Sequence, residues 1–208
     1  MADNRKKRRE LTQDIREVMY FHIHKMRHLP EWRGIKVDKF PTDFLIYAEA
    51  IFETKPDWII ETGTQRGGSS LFFADLLLLI NSPGKVISID IESYQPLEHP
   101  KVEYVLGSSI DDAVVSHVKD SVSGKVMVVL DSSHLLNHVS RELQLYSEIV
   151  TAGQYLVVED CYTEGSRDYY PKAAVDLFLA TTDKFTLEPR CEKYLFAVTR
   201  GGWLKRNG

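Results

Sequence analysis

The stretch IIETGTQRGGSS (59–70) decides how the chain is interpreted. An apolar run ends in Glu61, and a turn containing Gly63 and the pair Gly67–Gly68 leads to two serines. Glycine lets a backbone turn tightly and approach a ligand closely, and the start of a following helix offers free N–H groups. The stretch therefore predicts a strand, a ligand-binding turn and a helix, in that order.

The alternation of strand and helix continues along the chain. Apolar runs predict strands at 58–61, 86–90, 102–106, 125–131 and 154–160, with helices at 68–80, 110–119, 135–150 and 171–181. Continuous apolar strands are typical of a parallel sheet covered on both faces, so the pattern predicts a doubly wound, Rossmann-like α/β fold. The last two predicted strands, 185–189 and 194–200, have no helix between them and predict an antiparallel C-terminal hairpin.

A different pattern precedes this alternation. Apolar residues recur with a helical period over 10–28, a loop is predicted over 32–41, and a second helix is predicted from a Thr42 cap to Pro56. The expected buried face of the second helix is Phe44, Leu45, Tyr47, Ala48, Ile51 and Phe52. We therefore expect an N-terminal helical extension and loop at 1–41, followed by a Rossmann-like domain at 42–208.

The composition limits the classes of function. A chain of 208 residues, 43% of them hydrophobic, suits one folded domain, and a net charge of −4 favours neither a nucleic-acid nor a membrane partner. The basic run RKKRR (5–9) is expected to be a solvated end. Cys161 and Cys191 are too few for a disulfide framework, and no signal peptide is recognisable, so a cytoplasmic protein is expected.

The turn after the first Rossmann strand departs from the dinucleotide fingerprint. That fingerprint is G-x-G-x-x-G, whereas this chain has G-x-x-x-G-G, preceded by Glu61. A carboxylate there would repel a pyrophosphate but would suit the amino group and sulfonium of S-adenosylmethionine. In this respect the turn resembles the first motif of class I methyltransferases. A tight turn without a ligand is the alternative.

Two later strand ends favour the methyl-donor interpretation. Asp90 ends the second strand and could accept both hydroxyls of a ribose. Ser108 and Ser109 follow the third strand, where methyltransferases hold the adenine. The complete predicted donor site is Glu61, Gly63, Thr64, Gly67, Ser69, Asp90, Ser108, Ser109 and Asp131.

Acidic residues follow the fourth and fifth strands. Asp131, Glu159 and Asp160 should converge at one edge of the sheet, where they would repel one another without a cation. Hard oxygen ligands suit Mg²⁺ or another hard divalent cation, so these three are predicted metal ligands. The alternative is that one caps a helix and the others face water. His134 lies three residues after Asp131 and is the predicted general base, acting with Asp131 on an acceptor hydroxyl. His138, one turn later, could support it.

Four segments carry a family resemblance. KPDWIIETGTQRGGSSLFFA (55–74), VISIDIE (86–92), LGSSID (106–111) and the run from 128 to 160 resemble the cephalosporin hydroxylase family, which includes rhamnosyl O-methyltransferases. The resemblance covers about residues 30–200. It implies a class I methyltransferase fold, S-adenosylmethionine and Mg²⁺. It matches Glu61, Gly63, Gly67, Asp90 and Ser109 to the donor site and Asp131, Glu159 and Asp160 to the metal site. The layout is also similar to catechol-type O-methyltransferases, whose fifth strand is followed by an acid–amide pair. Here the pair is Glu-Asp, so a different charge balance is expected.

The sequence thus predicts a metal-assisted O-methyltransferase that acts on a hydroxyl of a small molecule. The expected acceptor is a sugar, a glycoside or an antibiotic-like scaffold, and a homo-oligomer is expected. One alternative is a non-haem-iron hydroxylase built from His134, His138 and Asp131, which leaves the glycine turn unused. Another is a non-catalytic subunit that binds S-adenosylmethionine. The Tyr-rich segment 161–172 is either an acceptor lid or an ordinary loop.

Overall fold

The computed structural model describes residues 30–161, 171–194 and 197–208. The strands are β1 (Glu31–Trp32), β2 (Ile35–Lys36), β3 (Trp58–Thr62), β4 (Val86–Asp90), β5 (Val102–Leu106), β6 (Val126–Leu130), β7 (Tyr155–Val158), β8 (Phe185–Leu187) and β9 (Trp203–Arg206). The α-helices are α1 (Pro41–Thr54), α2 (Gly68–Leu79), α3 (Asp112–Ser121), α4 (Leu136–Tyr146) and α5 (Pro171–Leu179). A 3₁₀ helix spans Pro189–Lys193.

Seven strands form the main sheet, in the order β5-β4-β3-β6-β7-β9-β8. The first five strands of that order are parallel, and β9 pairs antiparallel with both β7 and β8. The predicted α/β class, with a mostly parallel sheet and antiparallel C-terminal strands, is therefore confirmed. The chain leaves β3 towards β4 on one side and later returns to β6 on the other. The carboxyl ends of β3 and β6 thus form the switch point where open α/β sheets bind ligands.

Helices cover both faces of this sheet. The helices α1 and α2 pack on one face with Ile59, Met127, Val129 and Trp203, and α3, α4 and α5 pack on the other with Ile60, Val128, Leu130 and Leu204. All five residues of β6 are buried, as expected for a central strand covered on both sides. Two apolar cores, one on each side, therefore hold the strand ends at fixed positions.

The last strand lies later in the chain than predicted. The described part of the predicted strand 194–200 is bend and turn, and β9 begins at Trp203. The physical reason is the tryptophan: Trp203 is fully buried and packs against Tyr47 and Tyr155 at ring distances of 5.0 and 5.3 Å. Gly201, with a φ of +78°, turns the chain so that this side chain enters the core.

The segment before α1 also differs from the prediction. The β1–β2 hairpin overlaps the predicted loop 32–41. The helix α1 begins at Pro41, where the fixed φ of proline suits the first helical position, rather than at a Thr42 cap. Leu45 and Phe52, expected on the buried face, are exposed, because the face that packs inward is Asp43, Ile46, Tyr47, Ala50 and Ile51.

Two further predictions concern residues at the N-terminus. The predicted helix 10–28 lies outside the described residues. For the same reason the division into 1–41 and 42–208 stays a prediction. Among the residues that the structure describes, none of the helices is both long and apolar enough to cross a bilayer.

Candidate functional site

A cavity of about 360 Å³ lies at the carboxyl ends of β3, β4, β5 and β6. The predicted site residues that line it are Gly63, Thr64, Ser69, Asp90, Ser108, Ser109, Asp131, His134 and Asp160. The other three, Glu61, Gly67 and Glu159, do not line it. Sequence reasoning missed two contributors, the stretch Lys36–Lys39 before α1 and Ile91, Glu92 and Tyr94 after β4.

The glycine turn brings two strand ends into direct contact. Gly63 has a φ of +90°, and a Cβ at this position would lie only 2.0 Å from the backbone oxygen of Asp131. Gly67, with a φ of +79°, completes the turn and is followed by the first residue of α2. Only a glycine at position 63 lets this turn lie so close to Asp131, the acidic residue that follows β6.

Glu61 lies beneath this turn rather than in the cavity. Its side chain is fully buried, and its Oε2 accepts hydrogen bonds from Ser70 Oγ at 2.5 Å and Ser88 Oγ at 3.0 Å. Thr64 Oγ1 lies 2.7 Å from the same Ser88 hydroxyl. Burial raises the pKa of Glu61, although the nearby Lys39 opposes the shift. The geometry gives Glu61 a role in supporting the turn, and its direct contact with a donor stays a prediction.

Asp90 and Ser109 are held at the cavity wall. Asp90 Oδ2 accepts the Gln65 N–H at 2.8 Å, and its Oδ1 accepts the Glu92 N–H at 3.0 Å. Ser109 Oγ lies 3.1 Å from His138 Nε2. These contacts fix a carboxylate and a hydroxyl at neighbouring strand ends, in the order that the sequence predicted.

Asp131, His134 and Asp160 form one group at the other end of the cavity. The Nε2 atom of His134 lies 3.5 Å from Asp131 Oδ1 and 3.3 Å from Asp160 Oδ2. One ligand atom from each of the three residues lies within 4.8 Å of the others, a spacing that could hold a metal ion. The side chains are 23%, 16% and 10% exposed respectively, so the group borders the cavity and is partly shielded from solvent.

The charged side chains in this group shift one another's pKa values. Burial lowers the pKa of His134, but the carboxylates of Asp131 and Asp160 outweigh burial, and the net pKa is raised. Burial raises the pKa of Asp131, but Lys39 and His134 outweigh it, and the net pKa is lowered. Asp160 has a φ of +53°, in the left-handed region that few non-glycine residues adopt and that aspartate adopts more often than most.

Glu159 is not a member of this group. It is buried, and its Oε1 accepts hydrogen bonds from Lys39 Nζ at 3.0 Å and from the Tyr47 hydroxyl at 2.5 Å. The same ammonium lies 2.8 Å from Asp131 Oδ2. Lys39 precedes these two acids by 92 and 120 residues, and local sequence carries no signal for such a contact.

His138 lies at the end of the cavity that carries the predicted donor residues Asp90 and Ser109, which we call the donor end. Its Nε2 lies 3.1 Å from Ser109 Oγ and 3.3 Å from Ser132 Oγ. Within the described ranges, the group that could hold a metal contains one histidine, His134. The two-histidine, one-carboxylate set of an iron hydroxylase is therefore not assembled from His134, His138 and Asp131 in this part of the chain.

The predicted lid lies mostly outside the described residues, since residues 162–170 are not described. Cys161, at its start, is buried, and its thiol donates to the Val158 carbonyl at 3.4 Å. Burial raises the pKa of this thiol, which suits a packed side chain rather than a nucleophile.

Curated proteins of similar sequence include rhamnosyl O-methyltransferases. Rhamnosyl O-methyltransferase from Mycobacterium leprae (strain TN) is 37% identical over 141 residues, which are 64% of this chain and 61% of that protein. Rhamnosyl O-methyltransferase from Mycobacterium tuberculosis (strain ATCC 25618 / H37Rv) is 37% identical over 142 residues, 64% of this chain and 58% of that protein. The chain thus spans about three fifths of the length of these relatives.

Solved structures share the fold at low identity. The structure described as cmcI-D160 Mg-SAM has a TM-score of 0.70 and 21% identity, covering 87% of this chain and 78% of that one. The MycE methyltransferase in complex with Mg, SAH and mycinamycin VI has a TM-score of 0.58 and 16% identity, covering 77% and 48%. A family model described as Rhamnosyl O-methyltransferase/CmcI matches residues 24–207. The chain therefore belongs to the rhamnosyl O-methyltransferase/CmcI family.

Proposed function

We propose that the chain is an S-adenosylmethionine-dependent O-methyltransferase that uses a hard divalent ion and acts on a hydroxyl of a sugar or glycoside. The observation that carries the proposal is the close approach of Gly63 to the backbone of Asp131. It brings the glycine turn, which is the predicted site for the methyl donor, next to the group that could hold a metal ion, in one cavity. Family membership and the names of the relatives support this class of reaction.

The donor would lie along the ends of β3, β4 and β5. The glycine turn lets the backbone approach it, Asp90 would accept the ribose hydroxyls, and Ser108 and Ser109 would border the adenine. Thr64 and Ser69, which also line the cavity, would contact the amino-acid end. Glu61 would act beneath the turn by holding Ser70.

The residues present fit a hard divalent ion. Asp131 and Asp160 offer carboxylate oxygens to the same space, which are the ligands that Mg²⁺ prefers. Glu159 is the third predicted ligand and lies behind Asp131, with which it shares the ammonium of Lys39. A bound ion would lower the pKa of an acceptor hydroxyl and stabilise its negative charge.

His134 is the proposed general base. Its Nε2 faces the space between Asp131 and Asp160, so it lies within reach of an acceptor hydroxyl held there. The hydroxyl proton passes to Nε2, and the oxygen forms a bond with the methyl carbon. The carbon–sulfur bond breaks, and its electron pair stays on sulfur, which leaves S-adenosylhomocysteine. Much of the rate gain would come from holding donor and acceptor in line.

A transfer assay tests the proposal. The chain is incubated with methyl-labelled S-adenosylmethionine and a panel of rhamnosides and other deoxysugar glycosides, with Mg²⁺ or with EDTA. Fully O-methylated glycosides are the matched control, because they lack the accepting hydroxyl. We expect label in a free-hydroxyl glycoside only, and only with the divalent ion. Donor binding without transfer to any acceptor in the panel would favour a non-catalytic subunit, and absence of donor binding would refute the proposal.

A further inference from the structure

The carboxylate of Asp75, on α2, holds the β1–β2 hairpin. Its Oδ2 accepts hydrogen bonds from Trp32 Nε1 and Arg33 Nε, both at 2.7 Å, and its Oδ1 accepts one from Arg33 Nη2 at 2.5 Å. Burial raises the pKa of Asp75, but the hydrogen bonds from Arg33 and Trp32 outweigh it, and the net pKa is lowered. An ionised carboxylate therefore receives these hydrogen bonds from the hairpin.

Arg33 occupies a turn position at which arginine is unusual. It has a φ of +53° and Gly34 has a φ of +77°, as in the two-residue turns of β-hairpins. Positive φ angles in such turns favour glycine, asparagine and aspartate. The contact between its guanidinium and Asp75 gives this arginine a role that the turn alone does not.

His99 brings a second segment to the same carboxylate. It lies between β4 and β5 in residues 91–101, which we call the β4–β5 segment, and its side chain is 3% exposed. Its Nδ1 accepts the Lys101 N–H at 3.1 Å, so the ring hydrogen lies on Nε2, which faces Asp75 Oδ1 at 3.4 Å. Asp75 therefore contacts the hairpin and the β4–β5 segment at once.

These two segments enclose the glycine turn. A Cβ at Gly67 would lie 2.8 Å from Pro96 Cβ of the β4–β5 segment, and a Cβ at Gly68 would lie 2.3 Å from the backbone oxygen of Lys36, in β2. Both segments also line the cavity, through residues 36–39 at the end of the hairpin and through Ile91, Glu92 and Tyr94 of the β4–β5 segment. The predicted donor turn thus lies between two walls.

We propose that Asp75 is a positioning residue that holds both walls against the glycine turn and thereby sets the affinity for S-adenosylmethionine. This inference rests on the proposed donor site. Asp75 does not itself line the cavity, so it acts on the donor through the two segments. Segments that are already in place when the donor arrives lose less conformational freedom on binding, which strengthens binding. The group Asp131, His134 and Asp160 follows other strands, so the affinity for Mg²⁺ should not depend on Asp75.

Titration calorimetry of S-adenosylmethionine into the metal-free chain tests the inference. Asp75→Ala should bind the donor at least about tenfold more weakly than the wild type and release it faster in stopped-flow displacement. Asp75→Asn keeps an amide oxygen for the Trp32 indole and Arg33 Nε, so its loss of donor affinity should be only about threefold. The affinity for Mg²⁺ should stay within about twofold of the wild type in both variants.

Asp57→Ala is the matched control. Asp57 Oδ2 accepts the Lys125 N–H at 2.8 Å, just before β3 and β6 and at the opposite edge of the sheet from the cavity. This variant also loses a carboxylate that holds a loop, but its donor affinity should stay within about twofold of the wild type. Equal losses of donor affinity in Asp57→Ala and Asp75→Ala would overturn the inference, because they would reflect destabilisation of the fold alone.

Arg33→Gly covers the case in which Asp75→Ala fails to fold. Glycine suits the φ of +53° at this exposed position, and loss of the guanidinium should weaken donor binding about threefold. Unchanged donor affinity in folded Asp75→Ala, or in Arg33→Gly where Asp75→Ala does not fold, would overturn the inference alone. A wild-type chain that binds no S-adenosylmethionine would overturn the proposed function as well.

Discussion

The two ends of the cavity are built in different ways. At the donor end, the hydrogen bonds span short or moderate separations in sequence, from two residues between Glu92 and Asp90 to 29 between Ser109 and His138. At the acid end, Lys39 reaches Asp131 and Glu159 across 92 and 120 residues. The donor end therefore depends on backbone geometry, and the acid end depends on charges that only the complete fold brings together.

This difference suggests that the two ends can be damaged separately. A change of charge at the acid end, which carries Asp131, His134 and Asp160, should lower the affinity for the ion and the rate of methyl transfer. A change of backbone at the donor end should lower the affinity for the donor and the stability of the fold. Gly63 is the place where they meet, because it touches the Asp131 backbone.

The largest effect is expected for Asp160→Asn. The variant loses the charge of a proposed metal ligand that borders the cavity, so activity should fall by about 10⁴-fold and Mg²⁺ affinity by at least about 100-fold. Affinity for S-adenosylmethionine, measured by calorimetry, should change by less than about threefold, since Asp160 lies outside the predicted donor residues. An equal loss of donor and metal binding would show that the two ends are not separable.

His134→Ala should lower kcat by about 10³-fold, as expected for loss of a general base. Mg²⁺ affinity should stay close to that of the wild type. The matched control is His117→Ala, because His117 is an exposed histidine that pairs with Glu103 at 2.6 Å, away from the cavity. A large loss of Mg²⁺ affinity in His134→Ala would instead make His134 a metal ligand, which its place among Asp131 and Asp160 also permits.

Gly63→Ala should damage both ends. The new Cβ would lie 2.0 Å from the Asp131 oxygen at a φ of +90°, and we expect about 3 kcal/mol of destabilisation with donor affinity lowered at least tenfold. Gly153→Ala is the control, because Gly153 has a similar φ of +79° but no atom within 4 Å of the added Cβ. It should lose only about 1 kcal/mol in chemical unfolding experiments. Equal effects of the two substitutions would refute the close contact as the cause.

The smallest effect on binding is expected for Glu61→Gln. The pKa of Glu61 in the folded chain is raised above its ordinary value of 4.5. Between pH 4.5 and this raised pKa, the folded chain holds a proton that the unfolded chain has released. The free energy of unfolding therefore falls as the pH rises through this range. Glutamine removes that dependence, and the difference in unfolding free energy between the two proteins should change with pH by up to about 1.4 kcal/mol per unit. Denaturant unfolding at several pH values measures it. A tenfold loss of donor affinity without this change in slope would mean that Glu61 contacts the donor.

Much of the fold was predictable because continuous apolar strands and glycine turns are local signals. The strands β3 to β7 and the turn at Gly63 follow from them, and so does the predicted order of Asp90, Ser109 and Asp131 around the cavity. The position of β9 was not predictable, because the run at 194–200 is as apolar as a strand. The burial of Trp203 decides the pairing instead.

The orientation of individual acids was less predictable. Glu61 lies near the end of β3, and Glu159 directly follows β7. The carboxylate of Glu61 contacts the buried Ser70 hydroxyl, and that of Glu159 contacts Lys39, so neither lines the cavity. Lys39 itself lies between buried Val37 and Phe40, and a sequence does not show which distant acids would compensate its charge. Homo-oligomer formation and a cytoplasmic location stay predictions.

The most direct test of the account is calorimetric titration of S-adenosylmethionine into the metal-free chain, followed by Mg²⁺, for the wild type and Asp160→Asn. We expect both proteins to bind one donor, and we expect a separate Mg²⁺ heat that appears in the wild type and is lost in the variant. Absence of donor binding at any Mg²⁺ concentration, or an Mg²⁺ heat that Asp160→Asn leaves unchanged, would contradict it.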